Sequence, residues 1–288
     1  MTKVSDILLT VNFKKRVDSS FVRHIFEIML RRGCRIYVFQ DEAELFREIG
    51  VSAFSVIDFD LSVKQPDMLI VLGGDGSIIR ASSKTSELEI PILGINFGTV
   101  GYLAELEAGD TDKIEKILDG CYDIDERMML NAEILRGGST VYTARNVLND
   151  IVLSNGPVAR LLNFDVTVNG VLMQKYRADG MIAATPTGST AYSMSAGGPI
   201  MDPCLDAVCI TPICSHSLSD RPVIVPGDTV IGIENIDTED DSVYITVDGR
   251  HMERLEPEDK IRIFRSKSHA KLVRTTNNSF ISVLNSKL

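Results

Sequence analysis

Apolar and polar positions change their rhythm once along the chain, near Asp123. Before that point, short continuous apolar runs alternate with amphipathic stretches. Ile7–Val11, Arg35–Phe39, Asp67–Leu72 and Pro91–Ile95 read as strands buried on both faces. Phe21, Ile25, Ile28 and Met29 share one helical face behind a capping Ser19 or Ser20, and Gly33 closes that helix. Further helices are expected over Asp41–Ile49, ended by Gly50, around Ser77–Lys84, and over Asp112–Leu118, ended by Gly120. Strand and helix in alternation predict a parallel sheet flanked by helices.

Beyond Asp123 the period becomes two and helical spacing is scarce. Glu126–Leu135 and Thr140–Leu148 flank Gly137-Gly138, and Phe164–Val168 and Val171–Gln174 flank Asn169-Gly170. Both are hairpin signals, because each central residue must adopt a positive φ. Met181–Ala184, Val208–Thr211, Thr229–Ile233, Val243–Val247 and Lys260–Phe264 add strands. Together they predict a mostly antiparallel β-sandwich. The acidic run Asp237–Asp241 suits a solvated hairpin tip, and Phe280–Leu288 a short helix returning to the first domain. The expected division is 1–123 plus 266–288 as an α/β domain and 124–265 as an all-β domain.

Composition narrows the class of function. A chain of 288 residues supports two cores of roughly 100–150 residues each. Its net charge of −10, with Lys and Arg dispersed, argues against a nucleic-acid or anionic-membrane surface as main partner. Neither a signal-peptide pattern nor an apolar run of roughly 20 residues is present, which suits a cytoplasmic protein. The five cysteines include no C-x-x-C pair, and reduced, mostly buried thiols are expected.

Candidate chemistry sits in three places. Gly73-Gly74-Asp75-Gly76 follows an apolar strand and opens a helix. Glycines there let backbone N–H groups approach phosphate oxygens, and the helix N-terminus favours negative charge. An acid in such a loop repels phosphate unless it binds metal or takes a proton. A tight βα turn explains the glycines equally well. Asn149-Asp150, after a strand-like stretch, offers an amide for an adenine edge and a carboxylate for ribose hydroxyls; a turn pair is the plainer alternative. Arg177-Ala178-Asp179-Gly180 leads through a short strand into Thr185–Pro199, dense in hydroxyls and small residues, as a nucleotide held by many short hydrogen bonds requires. Arg177 and Asp179 point the same way on a strand and could simply form an ion pair. His216 has no Ser-His-Asp pattern around it and reads as structural.

In this order, the segments resemble the NAD kinase family over nearly the whole chain. The resemblance rests on Gly73–Gly76, Gly98-Thr99-Val100-Gly101-Tyr102-Leu103, Asn149-Asp150, Arg177–Gly180 and Thr185–Pro199, followed by Thr211–Pro222 and Asp248-Gly249. Gly-Gly-Asp-Gly alone is shared with lipid kinases and phosphofructokinases; the long Thr/Ser/Gly run behind Arg-x-Asp-Gly is far more specific. The resemblance implies an α/β domain, a β domain and a last segment returning to the first. It implies transfer of a phosphoryl group from ATP to NAD with a divalent metal, Mg2+, in a homodimer or homotetramer. Asp75 matches the proton acceptor, with Gly73, Gly74 and Gly76 around the phosphates. Asn149 and Asp150 match residues that hold the adenosine, and Thr190, Ala191, Tyr192, Ser193, Met194 and Ser195 a stretch touching the dinucleotide. Asp179 matches a residue near the nicotinamide side, often across a subunit boundary. Arg80, Arg160 and Arg177 fall at further dinucleotide contacts, and Tyr102, Thr187 and Arg250 complete the expected set.

Two positions depart from the pattern. Asp150 stands where Glu is common, shortening its reach, and Arg250 stands where Gln is expected, altering local charge. Two rivals follow. A lipid kinase with the same glycine loop needs a basic or apolar face, which the −10 charge does not supply. A dinucleotide sensor without transferase activity would have no use for Asp75.

Overall fold

A computed structural model describes residues 3–12, 18–57, 65–97, 101–156, 161–236, 243–275 and 280–287. Arg160, residues 98–100 and the acidic run 237–241 lie outside the described residues. The chain divides into two compact units, one formed by Met1–Glu126 with Ala270–Leu288 and the other by Arg127–His269.

The first unit runs β1 (Asp6–Val11), α1 (Ser19–Arg31), β2 (Arg35–Phe39), α2 (Ala43–Glu48), β3 (Ser55–Ile57), β4 (Met68–Leu72), α3 (Asp75–Thr85), β5 (Ile92–Asn96), β6 (Leu106–Glu107) and α4 (Thr111–Leu118). Its sheet is parallel, in the order β3-β2-β1-β4-β5, with β6 beside β5. Every residue of β1, β4 and β5 is buried, as continuous apolar runs between two helical layers must be. One face packs Ile7, Leu9, Ile70, Leu72, Leu93 and Ile95 against Ile25, Met29, Phe46, Ile114 and Leu118. On the other face Gly94 lets α3 lie close: a Cβ there would meet Ile78 Cδ1 at 2.3 Å. The sheet order reverses between β1 and β4, the place where doubly wound folds open a crevice for ligands.

Asp18, not Ser19 or Ser20, caps α1, accepting the Ser20 N–H at 2.8 Å. Its carboxylate, one residue before the first helical position, reaches the second N–H of the helix, while Ser19 is already helical. Gly33, Gly50 and Gly120 all adopt positive φ where their helices end.

In the second unit, β7 (Asp123–Arg136) enters from the first, followed by β8 (Ser139–Val147), β9 (Asp150–Asn155), β10 (Leu162–Val168), β11 (Val171–Ala178) and β12 (Gly180–Ala184). A 3-10 turn (Thr187–Thr190) and α5 (Tyr192–Ser195) precede β13 (Ala207–Ile213), β14 (Val223–Pro226), β15 (Ile231–Asn235), β16 (Val243–Val247), β17 (Arg250–Leu255) and β18 (Lys260–Arg274). The last element is α6 (Phe280–Lys287). One sheet orders β14-β13-β12-β9-β16-β17 and is antiparallel throughout. Facing it, β11-β10-β15-β18 is also antiparallel, and β7 and β8 form a hairpin. Phe164, Val166, Ile233 and Ile261 from one sheet pack with Leu153, Met181, Val208 and Ile245 from the other in a single core, which is a β-sandwich.

The hairpins at Gly137-Gly138 and Asn169-Gly170 form with both central residues at positive φ. Three expectations change. β9, β14 and β17 are strands that the period-two reading passed over, and β18 is far longer than Lys260–Phe264. β11 ends at Ala178, so Asp179 belongs to a connector and not to a strand beside Arg177. All five thiols are free, but Cys121, Cys204 and Cys214 are exposed; short turns put them outside either core.

Candidate functional site

In the first unit the candidate residues gather at the carboxyl ends of β1 and β4. Gly73 leaves β4 and donates its N–H to Ile95 O at 2.9 Å. A Cβ at Gly73 would lie 2.7 Å from Ser77 Oγ, which in turn accepts the Asn12 side-chain amide at 3.1 Å. Asn12 thus ties the loop after β1 to the start of α3. Gly74 caps α3 in an extended conformation, and Asp75 and Gly76 form its first turn. The helix dipole and the backbone of this turn favour an anion.

Asp75 does not project freely from that turn. One carboxylate oxygen accepts the Tyr102 N–H at 2.7 Å and the other the Leu103 N–H at 3.2 Å. Gly101 permits this approach, since a Cβ there would sit 1.9 Å from Asp75 Oδ1. Arg80 lies further along α3, half-buried, beside Glu42. The Glu42 carboxylate accepts the Thr10 hydroxyl at 2.6 Å and the Val11 N–H at 3.2 Å. Burial pushes Glu42 upward from its ordinary value, while these hydrogen bonds and the Arg80 charge oppose the shift.

In the second unit, Asn149 and Asp150 form the corner between β8 and β9. Thr185 braces it: its N–H donates to Asn149 O at 2.9 Å and its hydroxyl to Leu148 O at 2.5 Å. The same hydroxyl accepts the Gly188 N–H at 3.0 Å. Gly188 presses against the corner so closely that a Cβ would meet Asn149 O at 2.0 Å. From the opposite side, Asp248 accepts the N–H groups of Leu148, Asn149 and Asp150.

Asp150 is 4% exposed, and its carboxyl is pushed up to about 7, first by burial and then by the negative Asp248. A backbone hydrogen bond from Tyr192 opposes the shift. Burial also raises Asp248, against the three backbone amides and Arg250. Two carboxylates in one poorly solvated corner disfavour double ionisation.

The hydroxyl-rich run divides by direction. Thr187 is buried and accepts Arg127 Nη1 at 3.2 Å, and the Ser193 hydroxyl is fully buried against Thr211 Oγ1 at 3.0 Å. Thr190 turns its hydroxyl onto Thr187 O at 3.3 Å. Tyr192 and Ser195 are exposed, with Ala191 and Met194 half-buried between. Half of the run therefore builds the turn and half displays it. Arg177 is exposed and Asp179 half-buried, and no ion pair joins them among the described contacts. The Asp179 N–H instead donates to Ile213 O at 2.9 Å, and Arg177 O accepts the His216 N–H at 2.8 Å. Arg250 follows the β16–β17 turn.

Sequence reasoning named Thr185, Gly101 and Asp248 only as members of longer motifs, without individual roles, and passed over Arg127. Asp248-Gly249 carries the Asp-Gly hairpin signal and could have been found by it; both residues adopt positive φ. The bracing hydroxyl of Thr185 and the buried Arg127 have no local signature.

Comparison with known proteins decides the family. The model of the ATP-NAD kinase N-terminal domain matches residues 7–126, and that of the ATP-NAD kinase C-terminal domain matches residues 148–275. An NAD kinase of Geotalea daltonii is 40% identical over 265 residues, covering 92% of this chain and 91% of that protein. The chain belongs to the ATP-NAD kinase family. An NAD kinase of Natranaerobius thermophilus is 37% identical over 281 residues, 97% of this chain and 96% of the relative. Among solved structures, yeast NADH kinase complexed with NADH superposes with a TM-score of 0.89 at 25% identity, covering 99% of this chain and 87% of that one. An NAD kinase from Archaeoglobus fulgidus in complex with ATP shares the fold, with a TM-score of 0.71 at 23% identity over 98% of both chains.

Proposed function

We propose that this chain transfers the γ-phosphoryl group of ATP to the 2′-hydroxyl of the adenosine ribose of NAD, giving NADP and ADP. The observation that carries the reading is Asp75, a carboxylate held by two backbone N–H groups inside a glycine loop at a helix N-terminus. Phosphoryl transfer through a loose transition state needs positioning and charge neutralisation more than covalent chemistry. The Gly73–Gly76 turn and the α3 dipole stabilise phosphate oxygens. Asp75 accepts the hydroxyl proton as the new P–O bond forms. Asn149 and Asp150 hold the adenosine, and the displayed residues Thr190–Ser195 line the dinucleotide, with Arg80, Arg160, Arg177, Asp179 and Arg250 as further contacts. The α/β domain (1–123 plus 266–288) serves the phosphates and the β domain (124–265) the dinucleotide.

Magnesium enters with ATP as part of the substrate. Among the described residues no three His, Cys, Asp or Glu side chains gather as a metal cage, and both Asp75 oxygens already accept N–H donors. That donor set fits an ion carried mainly by phosphates and water. The protein works as a cytoplasmic homodimer or homotetramer; no helix among the described residues is long and apolar enough to cross a membrane. A donor-by-acceptor activity matrix tests the reading, with NAD, fructose 6-phosphate and diacylglycerol as acceptors. NADP formation supports it, and ATP consumption with either other acceptor alone contradicts it.

A further inference from the structure

We propose that Asp248 is a positioning residue for dinucleotide recognition, fixing the Asn149-Asp150 corner in the pose that receives the adenosine. The inference rests on the kinase reading above and adds a residue to which that reading gives no task.

Asp248 is the first residue of the two-residue turn between β16 and β17, at φ +49°. Its carboxylate accepts the N–H of Asn149 at 2.7 Å, of Asp150 at 3.3 Å and of Leu148 at 3.1 Å. Its own N–H donates to Asp150 O at 3.0 Å. β8 has ended at Val147 and β9 begins only at Asp150, so the N–H groups at 148 and 149 fall in the gap between strands. A buried amide without a partner is costly, and one carboxylate satisfies the gap. A plain two-residue turn needs only residues that tolerate positive φ. The carboxylate is therefore surplus to the turn and serves the corner.

The corner is held on both sides. Thr185 holds its carbonyls, with Gly188 packed against Asn149, and Asp248 holds its amides. This leaves the Asn149 side chain, and the part of the Asp150 carboxyl not taken by the Tyr192 N–H, as its remaining chemistry, aimed by a backbone that these hydrogen bonds hold. The charged and polar groups facing Asp150 are Asp248, with Arg250 acting on that carboxylate, and the Tyr192 N–H. Since Asp248 already receives N–H donors that favour its ionised form, the shared proton falls to Asp150. Asp150 then offers the nucleotide one O–H donor and one acceptor.

Two substitutions separate the carboxylate from the turn. Asp248→Gly keeps the positive φ and removes every acceptor; Asp248→Asn keeps one acceptor oxygen and removes the charge. The measurements are the calorimetric Kd for NAD, the KM for NAD and for ATP, and kcat. Loss of hydrogen bonds to a charged acceptor predicts an NAD Kd and KM raised about tenfold or more in the glycine variant. The asparagine variant should show a smaller rise, with the ATP KM within about twofold and kcat within about threefold. An NAD Kd unchanged in both folded variants overturns the proposal, as does a parallel rise in the ATP KM. Should Asp248→Gly fail to fold, Asp248→Asn decides between the same outcomes. If wild-type protein binds NAD but forms no NADP, the kinase reading fails while the Kd series still judges Asp248.

Discussion

The carboxylate of Asp75 accepts the backbone N–H of Tyr102 at 2.7 Å, across 27 residues of sequence. This bond joins the glycine loop after β4 to the segment between β5 and β6. It orients a carboxylate that a surface loop would leave to rotate. Gly101 makes the approach possible, because a Cβ would fall 1.9 Å from the same carboxylate. Gly101→Ala should therefore displace Asp75 while leaving both cores intact. Misplacing a reacting group by about 1 Å costs on the order of 10²-fold in turnover. Steady-state kinetics alongside thermal melting check this; native Tm with full kcat would remove Gly101 from the account.

Asp75→Asn keeps the shape and one of the two acceptor oxygens, but loses the other acceptor and the ability to take a proton. Turnover should fall by roughly 10²–10⁴-fold, with the NAD Kd near the wild-type value. Undiminished turnover at neutral pH would take the proton-acceptor role away from Asp75.

Asp150 gives a pH signature in stability. Its carboxyl rises from 3.8 to about 7 on folding, so the folded state prefers the protonated form. The stability linked to that proton is present below the unfolded value and is lost as pH rises through the folded one. Asp150→Asn lacks this loss. Its Tm should gain on wild type between pH about 4 and about 8. Parallel Tm profiles over that range would show that Asp150 is not the buried neutral acid described above.

Gly188→Ala tests the clamp on the Asn149-Asp150 corner from the other side. The added Cβ meets backbone, Asn149 O at 2.0 Å, and backbone cannot swing aside as a side-chain tip can. Strain of about 1–3 kcal/mol is expected, read as a lowered denaturation midpoint. An unchanged midpoint would mean that the corner and the Thr187–Thr190 turn move apart easily.

Period and turn chemistry carry most of the fold. β1, β4 and β5 are buried along their whole length and mostly apolar because helices cover both faces, and Asn169-Gly170 closes its hairpin because both residues accept positive φ. β9 was hidden because Asp150–Asn155 is largely buried and shows no alternation. The glycine loop Gly73–Gly76, proposed to cradle the phosphates, stands out in the sequence because its glycines and acid are contiguous. The Asn149-Asp150 corner, proposed to hold the adenosine, is legible only by half. Asn149 and Asp150 stand out, but the residues that hold them, Thr185 and Asp248, are brought there by strand pairing between distant segments. Direction is also invisible in a sequence. Ser193 and Ser195 look alike, yet one is sealed against Thr211 and the other faces solvent.

The central claim is chemical and has a direct measurement. Purified protein is incubated with ATP, magnesium and NAD, and the product is read with a dehydrogenase that accepts only NADP. Phosphorus NMR then locates the new phosphate on the ribose. The account predicts NADP in equal amount to the ADP formed, with the phosphate on the 2′ oxygen and formation slowed roughly 10²–10⁴-fold with Asp75→Asn. ADP release without NADP, or a phosphate on any other oxygen, would contradict it.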